Sequence, residues 1–226
     1  MIPWEELASA QAPEGDTLRL FRRGEEFSIR LQDGNELMNS RLGGSEIALA
    51  TLSFARLGTR PAPRVLIGGL GMGFTLRAAQ EVAPVDARLI VSEIVPELIG
   101  WASAHMRPVF GDCLLDSRVE VRAGDVVAEI ANAKPAYDAI LLDVDNGPDG
   151  LTRDGNDALY GEEGLAAAHR ALTPRGVLAI WSAHPDPAFT KRLARANFDV
   201  KVESVRAGRS KRGSRHTVWT AVRKGR

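Results

Sequence analysis

With 226 residues, 44% of them hydrophobic and 26% charged, the chain has the balance of one ordinary globular domain, or one domain with a small appendage. Its 29 basic and 29 acidic side chains cancel, which excludes a global field that would attract nucleic acid or an anionic membrane. The single cysteine, Cys113, excludes an intrachain disulfide framework and a cysteine-rich zinc site; His184 and His216 show no metal-ligand spacing, and no metal is assigned. No apolar run reaches the roughly 18 residues of a transmembrane helix. The start, Met1-Ile-Pro-Trp-Glu-Glu6, lacks the basic and apolar regions of a signal peptide, so the expected location is cytoplasmic.

Residues 1–16 hold Pro3, Pro13 and Gly15 and read as a loose or docking arm. Thr17 to Phe21 and Glu26 to Leu31 alternate apolar and polar side chains around Arg22-Arg-Gly-Glu25, a β-hairpin signal. Asp33-Gly34 marks a second turn before a third candidate strand, Glu36 to Leu42. Gly43-Gly44-Ser45 then precedes a helical pattern over Glu46 to Leu57, with Ser45 as the expected N-cap. From residue 65 onward strand and helix alternate: strands 65–69, 87–93, 118–122, 138–143 and 177–182, and helices 73–83, 96–106, near 126–133, 161–172 and 186–196. Pro96 suits a first helical turn, and Pro174-Arg-Gly176 reads as a linker. The last two strands, 198–205 and His216 to Val222, have no helix between them; their basic linker, Arg206 to Arg215, fits a hairpin tip. This alternation predicts an α/β fold with a mainly parallel sheet covered by helices on both faces. A small N-terminal β-unit, 1–44, should precede the main domain, 45–226.

The chain is organised around Arg64-Val-Leu-Ile-Gly-Gly-Leu-Gly-Met-Gly73, an apolar strand followed by Gly68, Gly69, Gly71 and Gly73 and then a helix. Glycine permits positive φ and lets a ligand approach backbone, and the helix start offers free N–H groups to a polar or anionic group. About 20 residues further on, at the end of the next strand, sits Glu93, where an acidic residue grips a ribose diol. In open α/β sheets ligands bind outside the carboxyl ends of the strands. There the later strands deliver Gly124-Asp125, then Asp143 with Asp145, Asn146 and Asp149, then Trp181-Ser182. The loop 144–158 is too long for a minimal turn, which marks it as functional. In this arrangement Glu93 would accept from two ribose hydroxyls. Asp125, with the N–H of Val126 nearby, would accept from an adenine amino group. Asp143 would face the reacting centre, and Asp143 or Asp145 would take or orient an amine proton. Trp181 reads as core or pocket wall.

These residues resemble a known family. The parallel sheet closed by an antiparallel hairpin resembles the class I S-adenosylmethionine-dependent methyltransferases, with a Rossmann-like, doubly wound, seven-stranded sheet. The set Gly68-Gly69-x-Gly71-x-Gly73, Ser92-Glu93, Asp116-Ser-Arg-Val119, Gly124-Asp125 and Tyr137-Asp-Ala-Ile-Leu-Leu-Asp143 is similar to the spermidine synthase family of polyamine aminopropyltransferases, as is Met38-Asn-Ser-Arg-Leu-Gly-Gly-Ser-Glu46. The resemblance implies a sulfonium nucleoside, S-adenosylmethionine or its decarboxylated form, held by Glu93 and Asp125, with Asp143 at the catalytic aspartate position. The chain departs from that family at Gly71, where an aspartate is usual. The loop Asp143-Val-Asp-Asn-Gly-Pro148 replaces a usual D-S-S-D-P, and a Y-H-E block is missing.

Three functions compete at this point. The first, and the preferred reading of the sequence, is methyl transfer from intact S-adenosylmethionine to a small acceptor, favoured by the room that Gly71 leaves for the donor's carboxylate. The second is aminopropyl transfer from the decarboxylated donor to a polyamine, favoured by the acidic cluster and the resemblance. The third is non-catalytic nucleoside binding. A nicotinamide-dependent reductase is a weaker fourth. The expected partners are a small-molecule acceptor such as an amine, with no nucleic acid and no membrane; a homodimer is compatible.

Overall fold

The computed structural model describes residues 2–13, 15–144, 159–208 and 213–225. The front of the chain is a four-stranded antiparallel sheet in the order β1 (Glu5–Gln11), β2 (Thr17–Arg23), β3 (Glu26–Arg30), β4 (Glu36–Asn39). The loose arm expected at residues 1–16 is therefore corrected: Glu5–Gln11 is a strand in register with β2, from Glu5 opposite Arg22 to Gln11 opposite Thr17. Its sequence, Glu-Glu-Leu-Ala-Ser-Ala-Gln, is poor in β-formers. Pairing with β2 and an ion pair from Arg19 to Glu6 supply what local preference lacks. In β2 the alternation is real. Leu18 and Leu20 are buried, while the ring of Phe21, on the opposite face, lies under the guanidinium groups of Arg19 and Arg30.

The helix α1 (Gly44–Leu57) leads into the main sheet, whose strands are β5 (Arg64–Gly68), β6 (Arg88–Glu93), β7 (Val119–Ala123), β8 (Tyr137–Leu142), β9 (Leu172–Ser182), β10 (Phe198–Arg206) and β11 (Arg215–Arg223). They run in the order β10-β11-β9-β8-β5-β6-β7. β5 to β9 are parallel neighbours, β11 is antiparallel to both β9 and β10, and β5 lies beside β8, as the predicted α/β architecture requires. The connecting helices include α2 (Phe74–Val82), α3 (Pro96–Ala104), α4 (Arg107–Phe110), α5 (Val126–Asn132), α6 (Glu162–Ala171) and α7 (Pro187–Arg195). Two apolar layers sandwich the sheet. One contains Val65, Ile67, Leu76, Leu98, Leu141 and Val218 and continues into Leu18, Leu20, Phe27 and Ile29 of the front sheet. The other contains Leu66, Ile140, Leu165, Leu178, Phe189 and Trp219. Burial on both faces explains why the strands read as continuous apolar runs.

Several boundaries differ from the sequence reading. α1 begins at Gly44 with Gly43 at its N-cap, so Ser45 lies inside the helix and is not the cap. The third front strand expected over Glu36 to Leu42 ends at Asn39. The predicted helix 96–106 ends at Ala104, and the chain continues through α4 and a 3-10 turn at Cys113–Leu115. β9 starts at Leu172, so Pro174-Arg175-Gly176 is a bulge inside a strand and not a linker. The pairing jumps from Tyr137 opposite Leu172 to Ala139 opposite Val177, and Arg175 takes φ 58 there. The chain enters the sheet at β5, moves out to β6 and β7, and returns to β8 on the other side of β5. That reversal opens a crevice at the carboxyl ends of β5 and β8, where α/β sheets bind ligands.

Candidate functional site

The turn after β5 is shaped by close backbone packing. Gly69 has φ +90, and a Cβ there would lie 2.5 Å from the carbonyl oxygen of Asp143. Its N–H donates to the carbonyl of Ser92 at 2.9 Å, so it is held between the ends of β6 and β8. Gly69→Ala should destabilise the protein by roughly 2–4 kcal/mol, from the left-handed backbone plus overpacking. Denaturant unfolding checks this, and a midpoint equal to that of the parent would contradict it. Gly71 also has positive φ, +50, but a Cβ there would meet only the sulfur of Met38, at 3.7 Å. Gly71 thus faces space where Gly69 faces backbone.

Glu93 ends β6 and is buried. Its Oε2 accepts from the N–H of Leu70 and its Oε1 from the N–H of Val95, both at 2.9 Å. The carboxylate therefore ties the glycine turn to the turn before α3, a task the sequence reading did not assign to it. Glu93 also lines the cleft. Asp125 caps α5, accepting from the N–H of Val127 at 2.8 Å. Gly69, Gly71, Ser92, Glu93, Gly124, Asp125, Val126 and Asp143 converge on this one cleft, which Leu18, Leu37 and Met38 of the front sheet cover. Two predicted ligand glycines are not part of its lining: Gly68 backs onto Val126, and Gly73 caps α2 against the ring of Phe110. Asp116-Ser-Arg-Val119 is remote from it as well. Asp116 pairs with Arg118 at 2.8 Å and accepts from Gln80 at 2.9 Å, pinning the entry of β7 to α2. Asp145 and the loop 145–158 lie outside the described residues.

A second cavity of 190 Å³ adjoins the first and shares Leu37, Met38, Gly71 and Asp143 with it. Its other walls are Asn39, Leu42, Glu46, Met72, Phe74, Trp181, Ala207 and His216. Glu46 and His216 are functional candidates that the sequence reading missed. Glu46 reads as an ordinary acid in a first helical turn, and His216 was weighed only as a metal ligand. The available signal for Glu46 was Gly43-Gly44 before it. A Cβ on Gly44 would lie 2.8 Å from the carbonyl oxygen of Arg206, so α1 begins hard against the β10–β11 hairpin.

Asp143 is held by Thr75, whose hydroxyl donates to its Oδ2 at 2.6 Å. Enclosure raises the Asp143 carboxyl well above the usual carboxylate range, the negative charge of Glu46 raises it further, and the Thr75 hydroxyl opposes both. Burial likewise raises Glu46, against hydrogen bonds from Ser45 and from backbone N–H groups. The pair therefore holds less negative charge than two ordinary carboxylates, and a cationic group between them would restore it. Trp181 packs edge-on to His216 with ring centroids 4.8 Å apart. Among the described residues its indole N–H is shielded and has no hydrogen-bond partner. A cavity of 460 Å³ between α6 and the C-terminal end of α7 is larger, but it shares no residue with these two.

No protein-family model matches the chain. It is 27% identical over 138 residues to a polyamine aminopropyltransferase of Clostridium tetani (strain Massachusetts / E88), across 60% of this chain and 47% of that protein. It is 28% identical over 123 residues to a polyamine aminopropyltransferase of Prochlorococcus marinus (strain MIT 9301), across 54% of this chain and 41% of that protein. The matched region thus spans less than half the length of each of these relatives. In structure, 97% of the chain superposes on spermidine synthase from Thermotoga maritima, with TM-score 0.70, 19% identity and 72% of that chain covered. It also superposes on a spermidine synthase solved in complex with the transition state analogue AdoDATO, with TM-score 0.73, 20% identity, and 97% of this chain and 74% of that one covered. At these identities the structural likeness is one of fold.

Proposed function

We propose that this chain, which resembles the spermidine synthase family of polyamine aminopropyltransferases in sequence and shares its fold, transfers an aminopropyl group from decarboxylated S-adenosylmethionine to an amine. The observation that carries this reading is the carboxylate pair, Glu46 and Asp143, in a cavity that opens beside the cleft lined by Glu93 and Asp125. A small ammonium acceptor fits an acidic, partly enclosed pocket. In the cleft, Glu93 serves the ribose and Asp125 the adenine, and Val126 offers its N–H. Asp143, shared by both cavities, takes the acceptor's proton. The amine lone pair then attacks the carbon next to the sulfonium, the C–S bond breaks, and sulfur keeps the electron pair as a thioether. The likeness to the AdoDATO-bound enzyme's fold favours the decarboxylated donor.

Methyl transfer from intact S-adenosylmethionine is the second reading, favoured by the open space at Gly71. Mass spectrometry of the products with each donor and putrescine separates the two. Aminopropyl transfer releases methylthioadenosine, and methyl transfer releases S-adenosylhomocysteine. Formation of the second product alone would overturn the first reading. Gly71→Asp adds a test of donor choice. At about 4 Å a carboxylate there repels the intact donor's carboxylate by a few kcal/mol with an effective dielectric near 20. The substitution should shift the calorimetric affinity ratio toward the decarboxylated donor by about tenfold or more. The positive φ of Gly71 weakens both donors together, so the ratio is the quantity to read.

A further inference from the structure

Ser45 is fully buried at the start of α1 and touches two titratable groups at once. Its Oγ lies 2.6 Å from Oε2 of Glu46 and 2.8 Å from Nδ1 of His216. The two partners come from distant parts of the chain, 171 residues separating Ser45 from His216. Their meeting is enforced by backbone: the N–H of Gly44 donates to the carbonyl of Ala207 at 2.8 Å, docking α1 on the β10–β11 hairpin. Glu46 and His216 both line the second cavity, and His216 is partly exposed.

We propose that Ser45 and His216 form a proton relay that carries the acceptor's proton from Glu46 toward solvent. The inference rests on the aminopropyl-transfer reading and assigns that site two residues acting through Glu46. Asp143 takes the proton of the acceptor ammonium and shares it with the neighbouring Glu46, which holds it on Oε2. That O–H donates to Ser45 Oγ while the Ser45 O–H donates to the unprotonated Nδ1 of His216. Shifting both protons by one bond leaves Glu46 ionised, Ser45 neutral and His216 an imidazolium, which then releases its Nε2 proton. Among the described residues, the charged and titratable groups around the relay are Glu46 from α1, Asp143 after β8, His216 from β11 and His184 after β9. Burial raises the Glu46 carboxyl and lowers the His216 imidazole, with His184 lowering it further. Donor and acceptor are thereby brought closer in proton affinity, which favours transfer in both directions. The contact is not helix capping, because Gly43 holds the N-cap position of α1 and no side chain caps that end.

The test is the pH dependence of kcat and KM with decarboxylated S-adenosylmethionine and putrescine, for the parent, Ser45→Ala, Ser45→Thr and His216→Asn. Ser45→Ala and His216→Asn should lower kcat by about 10- to 100-fold, within the range of a positioned acid–base group. The KM for the donor should stay unchanged. Ser45→Thr, which keeps the hydroxyl, should restore most of the rate, and added imidazole should rescue His216→Asn. Independently of turnover, nitrogen NMR of His216 should show its titration displaced by Glu46→Gln in the parent, with the displacement shrinking in the Ser45→Ala background. Ser45→Ala with the parent's kcat and pH profile, or an effect on KM alone, overturns the relay while leaving the transfer activity standing. A folded parent that transfers nothing to the amine at any pH overturns the transferase reading and the relay with it.

Discussion

Asp143→Asn should abolish transfer and stabilise the protein at the same time. The rate should fall by about 10²- to 10⁴-fold, the usual contribution of a positioned general base. Stability should move the other way because the folded protein raises this carboxyl through burial and the charge of Glu46. In the unfolded chain an aspartate titrates near 3.9. At low pH both states are protonated and the group contributes nothing. As pH rises past the unfolded value, the unfolded chain ionises while the folded protein still holds the proton, so the folded state loses relative stability up to the raised folded value. Asparagine cannot ionise, and its carbonyl still accepts from Thr75. The advantage of Asp143→Asn should therefore be absent near pH 3, open as pH rises through the carboxylate range, and be complete at about pH 8. A chain of this size gains about 2–4 °C in Tm for each kcal/mol relieved. Thermal melts across that range check the sign, and a variant that melts below the parent at every pH would contradict the electrostatic account of the site.

Glu93→Ala should damage the fold and ligand binding together. The substitution removes the acceptor for two N–H groups, of Leu70 and Val95, and leaves both without a partner in an enclosed place. Hydrogen bonds to a charged acceptor are worth about 1.5–3 kcal/mol each, so the expected loss of stability is roughly 2–5 kcal/mol. The glycine turn then loses its tie to α3, and adenosyl ligand binding should fall by one to several kcal/mol beyond that. Glu93→Gln separates the two effects: its single carbonyl can accept from one N–H, but its NH₂ opposes the other. It should recover part of the stability and little of the affinity. Urea unfolding paired with calorimetry measures both, and full stability in Glu93→Ala would show that the two backbone bonds are replaceable.

The local signals in this chain were strong where burial on two faces or alternation on one left a periodic trace. The runs Val65-Leu66-Ile67, Leu89-Ile90-Val91 and Ile140-Leu141-Leu142 announce central parallel strands because both faces of each are covered. The glycine turn, Glu93, Gly124-Asp125 and Asp143 were legible as one edge because the carboxyl ends of parallel strands share a side. Resemblance carried that edge to a family and so to a donor class. Strand β1 left no such trace, since Ala8, Ser9 and Ala10 have little β preference and depend on β2 for their conformation. The bulge at Pro174-Arg175-Gly176 reads locally as a turn, and only the register against β8 shows that the strand runs through it.

The roles of single carboxylates were decided by tertiary structure. Nothing in the order of residues shows that Glu93 already serves two backbone N–H groups, or that Gly69 is fixed by the Asp143 carbonyl while Gly71 faces open space. The second cavity depends still more on it. Glu46, Asp143 and His216 lie far apart in sequence, and they meet because α1 docks on the β10–β11 hairpin and β8 lies beside β5. Sequence by itself determined the layers of the fold and the edge on which ligands bind, because hydrophobic periodicity and strand direction are local properties. The acidic pair, its raised proton affinity and its contact with His216 through Ser45 come from long-range packing, which sets the distances between charges and the water left around them.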